Sequence, residues 1–289
     1  MSFDDLPPLP PPVHAEAVGY AERCMAATRI VQARERVLID RRYGDDYWQK
    51  LDVYLPRNAG TAPLPVLVFF HGGAWTSGTK EWMGFMAPPL LALPAIFVTA
   101  NYRLAPATRY PAMLQDCMNA MAWVAANIAA HGGDSARLFV GGHSAGGHLA
   151  ALVALDREAQ RAAGLERSAI RGFLGVSGSY DIRKRDAAAG SAERRIYDVL
   201  LSRADDDAAA SPVTHVRPDS PPCFVAWGTR DFPRLVVQAK AFVAALGAAG
   251  VRNETLEIAG ADHFGANEAC GDGHGAWART ALRWLEGRS

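Results

Sequence analysis

The sequence has no long apolar run and no excess of either charge. Its 30 basic and 30 acidic residues give a formal net charge of zero at pH 7. No block of like charge stands out, so nucleic acid and membrane surfaces are not expected partners. No stretch has the length that a membrane-spanning helix needs. The opening residues, MSFDDLPPLPPPVH, lack a basic segment followed by an apolar one, so we expect no signal peptide.

Clustered cysteines are also missing. The four cysteines, Cys24, Cys117, Cys223 and Cys270, stand far apart, without a CxxC pair or the spacing of a metal site. Reduced thiols in a cytoplasmic protein are the simplest explanation of that pattern. We therefore expect a cytoplasmic location, no bound metal and no cofactor.

What the sequence does have is a regular alternation of apolar strands and amphipathic helices from Pro65 onward. This alternation predicts an α/β fold with a mostly parallel sheet, helices on both faces and right-handed crossovers. The 289 residues, 49% of them hydrophobic, suffice for a single domain with a large core. The predicted strands are an antiparallel edge pair, Val37–Asp40 and Gln49–Leu55, followed by Pro65–Phe70, Ala95–Ala100, Leu138–Val140, Arg171–Val176, Cys223–Trp227 and Glu254–Ile258. The predicted helices are Glu81–Leu93, broken or kinked at Pro88 and Pro89, and Pro111–Ala130, Ala145–Leu155, Arg234–Leu246 and Ala276–Leu285.

Two regions of the predicted domain, residues 1–289, lie outside this alternation. Residues 1–35 hold a proline-rich arm followed by a helix from Ala15 to Arg34. Residues 182–219 are polar, alanine-rich and charged, with one helix near Glu193–Leu201. We expect residues 182–219 to form a small helical lid beyond the carboxyl ends of the strands, with the arm and its helix beside it.

One segment, RLFVGGHSAGGHLAA at 137–151, joins a buried strand to an Ala- and Leu-rich helix through GHSAG. So abrupt a turn forces Ser144 into a strained backbone conformation, and side chains at positions 142 and 146 would collide there, which explains the glycines. The pattern predicts a serine hydroxyl held at the carboxyl edge of the sheet. A glycine-rich turn with an incidental serine is the alternative interpretation.

A serine nucleophile needs a histidine base that a carboxylate orients. Sites in open α/β sheets gather at the carboxyl ends of the strands, and His263 follows the last predicted strand. Asp231, after the penultimate strand, is the first choice for the acid, and Asp181, after an earlier strand, is the competitor. Asp262 is too close in sequence to turn back onto the His263 ring. For most of the other histidines a surface or structural role is favoured.

The glycine motif HGGAW at 71–75 follows the first parallel strand and is a candidate oxyanion hole. Attack on a carbonyl places negative charge on its oxygen, and backbone amides that await this charge stabilise it. The amides of Gly73 and Ala74 can supply two donors, and the amide of Ala145, at the start of a helix, a third. An ordinary glycine turn is the alternative interpretation.

Aromatic residues at strand exits, together with the histidine beside the serine, are candidates for the wall of a substrate pocket. Each of them fits the core or the rim equally well, so both interpretations stay open. The candidates are Trp75, Tyr102, His143, Tyr180, Phe232 and Phe264.

These motifs in this order resemble the α/β-hydrolase superfamily, from about Val37 to the end of the chain. HGGAW at 71–75, NYRLAP at 101–106 and GHSAGGH at 142–148 are similar to the hormone-sensitive-lipase-like esterases and, more closely, to the kynurenine formamidases. The former group usually has a third glycine where Ala74 stands and an acidic residue where His143 stands. The resemblance implies an α/β-hydrolase fold, the triad Ser144, Asp231 and His263, and the oxyanion amides named above.

The sequence therefore predicts a serine hydrolase that forms an acyl-enzyme on Ser144. Its expected substrate is a small-molecule carboxylic ester or aryl formamide, and the choice between these two stays open. So does the formation of a homodimer. The alternative from another class is a non-catalytic binding protein with the hydrolase fold, which an intact set of nucleophile, base, acid and donors argues against.

Overall fold

The computed structural model describes residues 3, 6–58, 60–166, 168–184 and 187–287. Within these residues, eight strands form one sheet in the order β1-β2-β4-β3-β5-β6-β7-β8. β2 is antiparallel to β1 and to β4, and the other neighbours are parallel, so the predicted topology is confirmed. The strands are β1 Arg36–Arg42, β2 Lys50–Leu55, β3 Leu64–Phe70, β4 Ile96–Ala100, β5 Gly133–His143, β6 Ile170–Val176, β7 Cys223–Gly228 and β8 Asn253–Ile258.

Helices cover both faces of the sheet, as predicted. They are α1 Glu16–Arg34, α2 Ala87–Ala92, α3 Ala112–Asn127, α4 Ala145–Leu155, α5 Arg157–Ala162, α6 Ala192–Val199, α7 Pro233–Ala248, α8 His263–Glu268 and α9 Ala276–Leu285. Side chains of α3, α4 and α7 share one core with Val66 and Val68 of β3, and those of α1, α2 and α9 share the other core with Leu67 and Phe69. Because both faces of β3 are buried, its sequence is apolar throughout instead of alternating.

The predicted helix Glu81–Leu93 is wrong in its first half. The chain makes two short 3₁₀ turns, Lys80–Trp82 and Gly84–Met86, before α2 begins at Ala87. Pro88 and Pro89 stand in the first turn of α2, where a missing amide N–H breaks no helical hydrogen bond. The prolines therefore start a helix instead of kinking one.

The excursion at residues 182–219 contains α6 and two 3₁₀ turns, Ala204–Asp207 and Pro212–His215. It is tied to the strand exits, since the amide of Val213 donates to the carbonyl of Tyr180. Residues 185 and 186 of this excursion, and residues 1, 2, 4 and 5 of the arm, lie outside the described residues. A single domain over residues 1–289, with a lid at 182–219, stays a prediction.

Two further observations bear on the expected environment of the protein. All four cysteines are buried and carry free thiols. Within the described part of the chain, no helix combines the length and the apolar character that a bilayer span requires.

Candidate active site

The turn that carries Ser144 lies between β5 and α4. Ser144 has φ 55° and ψ −118°, a conformation that side chains strongly disfavour. A Cβ atom on Gly142 would lie 2.3 Å from the carbonyl oxygen of Gly146, and one on Gly146 would lie 2.2 Å from that of Phe70. The predicted strain and the predicted steric need for both glycines are therefore confirmed.

Three side chains from separate loops meet at this turn. His263 Nε2 lies 2.9 Å from Ser144 Oγ, and His263 Nδ1 lies 2.8 Å from Asp231 Oδ1. Because a carboxylate oxygen only accepts, Nδ1 carries the hydrogen and Nε2 offers a lone pair to the serine hydroxyl. His263 and Asp231 are each 5% exposed, so little water competes for these bonds.

Asp231 is held as a carboxylate by several donors. The Ser177 hydroxyl donates to its Oδ2, and the amide of Phe232 donates to Oδ1 at 2.7 Å. Burial alone would raise the pKa of Asp231, but the bonds from His263, Ser177 and the Phe232 amide outweigh burial and hold the pKa below its usual range. Ser177 was not among the predicted site residues, because a serine at a strand exit carries no distinctive signal in sequence.

The two other carboxylates considered for this place lie elsewhere. Asp181 pairs with Arg183, with Oδ2 2.7 Å from Arg183 Nη2. Asp262 caps α8, where its side chain accepts from the amide of Gly265 at 2.8 Å. The structure thus places Asp231 beside His263. Asp181 and Asp262 make their hydrogen bonds elsewhere.

The turn after β3 lies at the same cavity as Ser144. Gly73, Ala74 and Trp75 have positive φ values of 123°, 51° and 62°. The carbonyl of Gly73 accepts from the amides of Thr76 and Ser77 and so closes the turn. Gly73, Ala74 and Ala145 all line the cavity at Ser144, and their amides donate no hydrogen bond to another described residue. Their assignment as oxyanion donors stays a prediction.

A cavity of about 50 Å³ opens at Ser144. Four of the six pocket candidates line it: Trp75, His143, Phe232 and Phe264. A second cavity of about 300 Å³ adjoins it, and Ala74, Trp75 and Phe232 belong to the walls of both. The second cavity reaches α6, whose Ile196 and Val199 give it an apolar side.

The assignment of Tyr102 and Tyr180 to the pocket is wrong. Tyr102 is fully buried, stacks on the His71 ring at 4.4 Å and donates its hydroxyl to the His71 carbonyl at 2.9 Å. Tyr180 is fully buried against Phe242, with ring centroids 4.4 Å apart. Both rings follow a strand, but each turns back into the core because an aromatic side chain gains more from packing than from a wet cavity.

Residues of the arm and of α1 form part of the cavity wall, a contribution that the expected position of the arm beside the excursion did not specify. The His14 ring lies 4.9 Å from Phe232, and Phe232 lies 4.6 Å from the His263 ring. Proline-rich sequence indicates an irregular path but not the surface on which it packs. The arm and α1 contribute Pro12, Val13, His14, Ala17 and Tyr20 to the cavity wall.

His143 is hydrogen-bonded to the backbone of His263 and not to the serine hydroxyl. Its Nε2 donates to the carbonyl of His263 at 3.0 Å, and the two rings lie 4.8 Å apart. Burial and the neighbouring His263 lower the pKa of His143 to about 3. The ring is therefore neutral at pH 7 and adds no charge beside the base.

A larger cavity elsewhere in the described part of the chain lies away from these side chains. A groove of about 600 Å³ opens at the amino ends of β6, β7 and β8, lined by residues such as Arg171 and Pro222. None of its described lining residues is a histidine, so it holds no serine–histidine pair. The smaller cavity at Ser144 is the candidate active site because the reactive groups converge there.

Known proteins resemble this chain in sequence and in fold. It is 35% identical to Esterase LipC of Mycobacterium tuberculosis over 244 residues, which cover 80% of this chain and 59% of that protein. It is 27% identical to the Kynurenine formamidase of Danio rerio over 85% of this chain and 81% of that protein. The chain spans about half the length of several curated relatives that it matches.

A solved esterase from Pyrobaculum calidifontis superposes with a TM-score of 0.70 at 24% identity, covering 93% of this chain and 90% of that one. Together with the sheet order, this likeness confirms the predicted α/β-hydrolase fold. A family model described as BD-FAE matches residues 51–246, which is more than half of the chain. The chain therefore belongs to the BD-FAE family.

Proposed function

We propose that this protein is a serine hydrolase that cleaves small-molecule carboxylic esters or aryl formamides. The observation that carries the proposal is the continuous hydrogen-bonded chain from Asp231 through His263 to Ser144, with distances of 2.8 and 2.9 Å. This arrangement activates a serine hydroxyl, which by itself is a weak nucleophile at neutral pH.

In the proposed reaction, Ser144 Oγ attacks the acyl carbonyl while His263 Nε2 takes the hydroxyl proton. Asp231 holds Nδ1–H and stabilises the imidazolium that forms. Collapse of the tetrahedral intermediate breaks the bond to the alcohol or arylamine, which leaves with the proton from His263. Water, deprotonated by His263, then attacks the acyl-enzyme and releases the carboxylic acid, formic acid in the case of a formamide.

The negative oxygen of each tetrahedral intermediate is assigned to the amides of Gly73, Ala74 and Ala145. Preformed donors of this kind need no reorganisation during the reaction, and removing one typically costs about 3 kcal/mol of transition-state stabilisation. The positive φ of Ala74 supports this assignment, because such strain persists only where the surroundings enforce it.

The names of the relatives support both substrate classes. LipC is named an esterase, and the relative from Danio rerio is named a kynurenine formamidase. The esterase is the more similar in sequence, whereas this chain covers more of the formamidase. Both reactions use the same attack on an acyl carbonyl, so we keep ester and aryl formamide as substrates of one site.

The experiment has two stages. A fluorophosphonate probe should label Ser144 in the folded protein and not in Ser144→Ala. The value of kcat/KM is then compared for N-formylkynurenine and for short p-nitrophenyl esters. Hydrolysis of esters alone would exclude the formamidase activity. Absence of both labelling and turnover would instead favour a non-catalytic binding protein.

A cytoplasmic location is proposed from the four free, buried thiols. A homodimer is also proposed, and light scattering of the purified chain tests it.

A further inference from the structure

His148 lies one helical turn beyond Ser144 and is fully buried, yet it has no place in the reaction above. Both ring nitrogens are hydrogen-bonded. Trp75 Nε1 donates to His148 Nδ1 at 3.2 Å, and His148 Nε2 donates to the carbonyl of Ala210 at 2.7 Å. The indole only donates and the carbonyl only accepts, so these partners fix a single neutral tautomer.

The three elements that meet at this ring have different positions in the site. His148 stands on α4, the helix that starts just after Ser144. Trp75 ends the turn that presents the amides of Gly73 and Ala74. Ala210 belongs to the excursion at 182–219. The His148 ring therefore connects α4, the turn at residues 73–75 (the oxyanion turn) and the excursion at 182–219.

The oxyanion turn needs such an anchor. Residues 73 to 75 all have positive φ, and two of them carry side chains, so the turn is strained and persists only where neighbours hold it. The backbone bond from Ala105 to the carbonyl of Trp75, at 2.9 Å, fixes the turn to the loop after β4. The bond from the Trp75 indole to His148 fixes it to α4.

We propose that His148 is a positioning residue that sets the oxyanion amides of Gly73 and Ala74 at the correct distance from Ser144. This inference rests on the proposed function. The ring acts only through Trp75, since it lines neither cavity at the site. Misplaced amides weaken the transition state much more than the bound substrate, so the loss appears in kcat.

The state of the ring supports this role. Burial lowers the pKa of His148 to about 4, so Nδ1 keeps its lone pair for the indole at neutral pH. The Trp75 ring lies edge-on to the imidazole, at 5.3 Å and 90°, and is 6% exposed. The same bond thus also holds the indole, which lines both cavities.

Two amide substitutions separate the two bonds of the ring. In His148→Asn the amide oxygen takes the place of Nδ1 and can still accept from Trp75. In His148→Gln the amide nitrogen takes the place of Nε2 and keeps the bond to Ala210, but the indole loses its acceptor. We expect His148→Gln to lower kcat about tenfold with KM within about twofold, and His148→Asn to restore most of the turnover.

Trp75→Phe removes the same bond from the other side and should lower kcat by a similar factor. The double variant Trp75→Phe/His148→Gln should be no slower than the slower single variant, because both changes break one interaction. The matched control is His215→Gln, since His215 makes a comparable bond to the neighbouring carbonyl of Ala209 at 2.7 Å without reaching the oxyanion turn. It should keep the wild-type kcat.

Several outcomes would overturn the inference. These are a wild-type kcat in His148→Gln, equal damage in the Asn and Gln variants, or additive effects in the double variant. If both His148 variants fail to fold, an unchanged kcat in Trp75→Phe overturns it. A wild-type protein that neither turns over nor takes up the fluorophosphonate would refute the proposed function first and this inference with it, which separates the two failures.

Discussion

Two clusters of buried polar side chains differ in what they leave for a ligand. In the cluster of Ser144, His263 and Asp231, the chain of bonds ends at a hydroxyl that lines a cavity. In the second cluster, the Lys80 side chain is 1% exposed, and its Nζ contacts three carboxylates, Asp52 at 2.8 Å, Asp40 at 2.9 Å and Glu81 at 2.5 Å. The charged groups of this cluster therefore pair with one another instead of facing a cavity.

The electrostatics of the second cluster follow from its composition. Burial raises the pKa of Asp52 to about 6, against the attraction of Lys80. Burial alone would lower the pKa of Lys80, but Asp52, Glu81 and Asp40 together raise it above its ordinary value. These carboxylates therefore keep the Lys80 ammonium protonated. Burial of charge by itself therefore does not mark an active site, whereas a reactive atom that faces a cavity does.

The largest effect is expected from Ser144→Ala, which removes the hydroxyl that faces the cavity. We expect kcat to fall by at least about 10⁵-fold, because nucleophile and base act as a unit. The free energy of unfolding should change little, because alanine is no larger than serine and only the hydrogen bond between Ser144 and His263 is lost. Wild-type turnover in this variant, measured with the ester or formamide that the wild type cleaves, would exclude the mechanism.

Asp231→Asn should have the next largest effect. An amide in place of the carboxylate favours the wrong tautomer of His263 and removes the charge that stabilises the imidazolium, so kcat should fall about 10⁴-fold. Fluorophosphonate labelling of Ser144 should slow in parallel. Unchanged labelling with unchanged kcat would remove Asp231 from the triad.

Lys80→Met tests the structural role of the second cluster. It leaves buried carboxylates without their cation, and we expect the free energy of unfolding to fall by about 3–5 kcal/mol. The kcat of the protein that remains folded should match the wild type. The control is Arg23→Met, which breaks the exposed pair with Glu268 (2.7 Å) and should cost less than about 1 kcal/mol because solvent screens it. Equal losses in the two variants would contradict the assignment of a structural role to the buried cluster.

The smallest expected effect is a pH dependence of stability. The pKa of Asp231 is lower in the folded protein than in the unfolded chain, so its stabilising contribution is present above about pH 4 and is lost as the pH falls through the folded value. The difference in unfolding free energy between the wild type and Asp231→Asn should therefore stay constant from pH 6 to about pH 4 and narrow as the pH falls below 4, as measured by denaturant titration. Asp52 is present in both proteins, so its titration cancels. A difference that also stays constant below about pH 4 would refute the linkage.

The two clusters also differ in how well they could be predicted from the sequence. Ser144, His263 and Asp231 could be chosen because each follows a predicted strand and the chemistry requires its residue type. The Lys80 cluster went unnoticed, because Lys80 and Asp52 come from distant segments and charged residues are ordinarily exposed. The choice of Tyr102 and Tyr180 was wrong because the sequence gives the element that a ring follows but not the side to which it turns.

Ser177 and the arm show the same limit at the site itself. Ser177 donates to Asp231 through one short side chain, which no spacing rule predicts. The contact of His14 with Phe232 depends on the path of an irregular segment across the finished fold.

The helix behind the nucleophile has a consequence for substrate range. Every residue of α4 is buried, and it is wedged between the sheet and its neighbouring helices. In the proposed reaction, α4 therefore forms a closely packed side of the site. We expect acyl groups of different bulk to be accommodated by the arm and α6, which line the cavities on the other side of the nucleophile. We expect relatives with the same α4 but a different arm and α6 to catalyse the same reaction on substrates with acyl groups of different size.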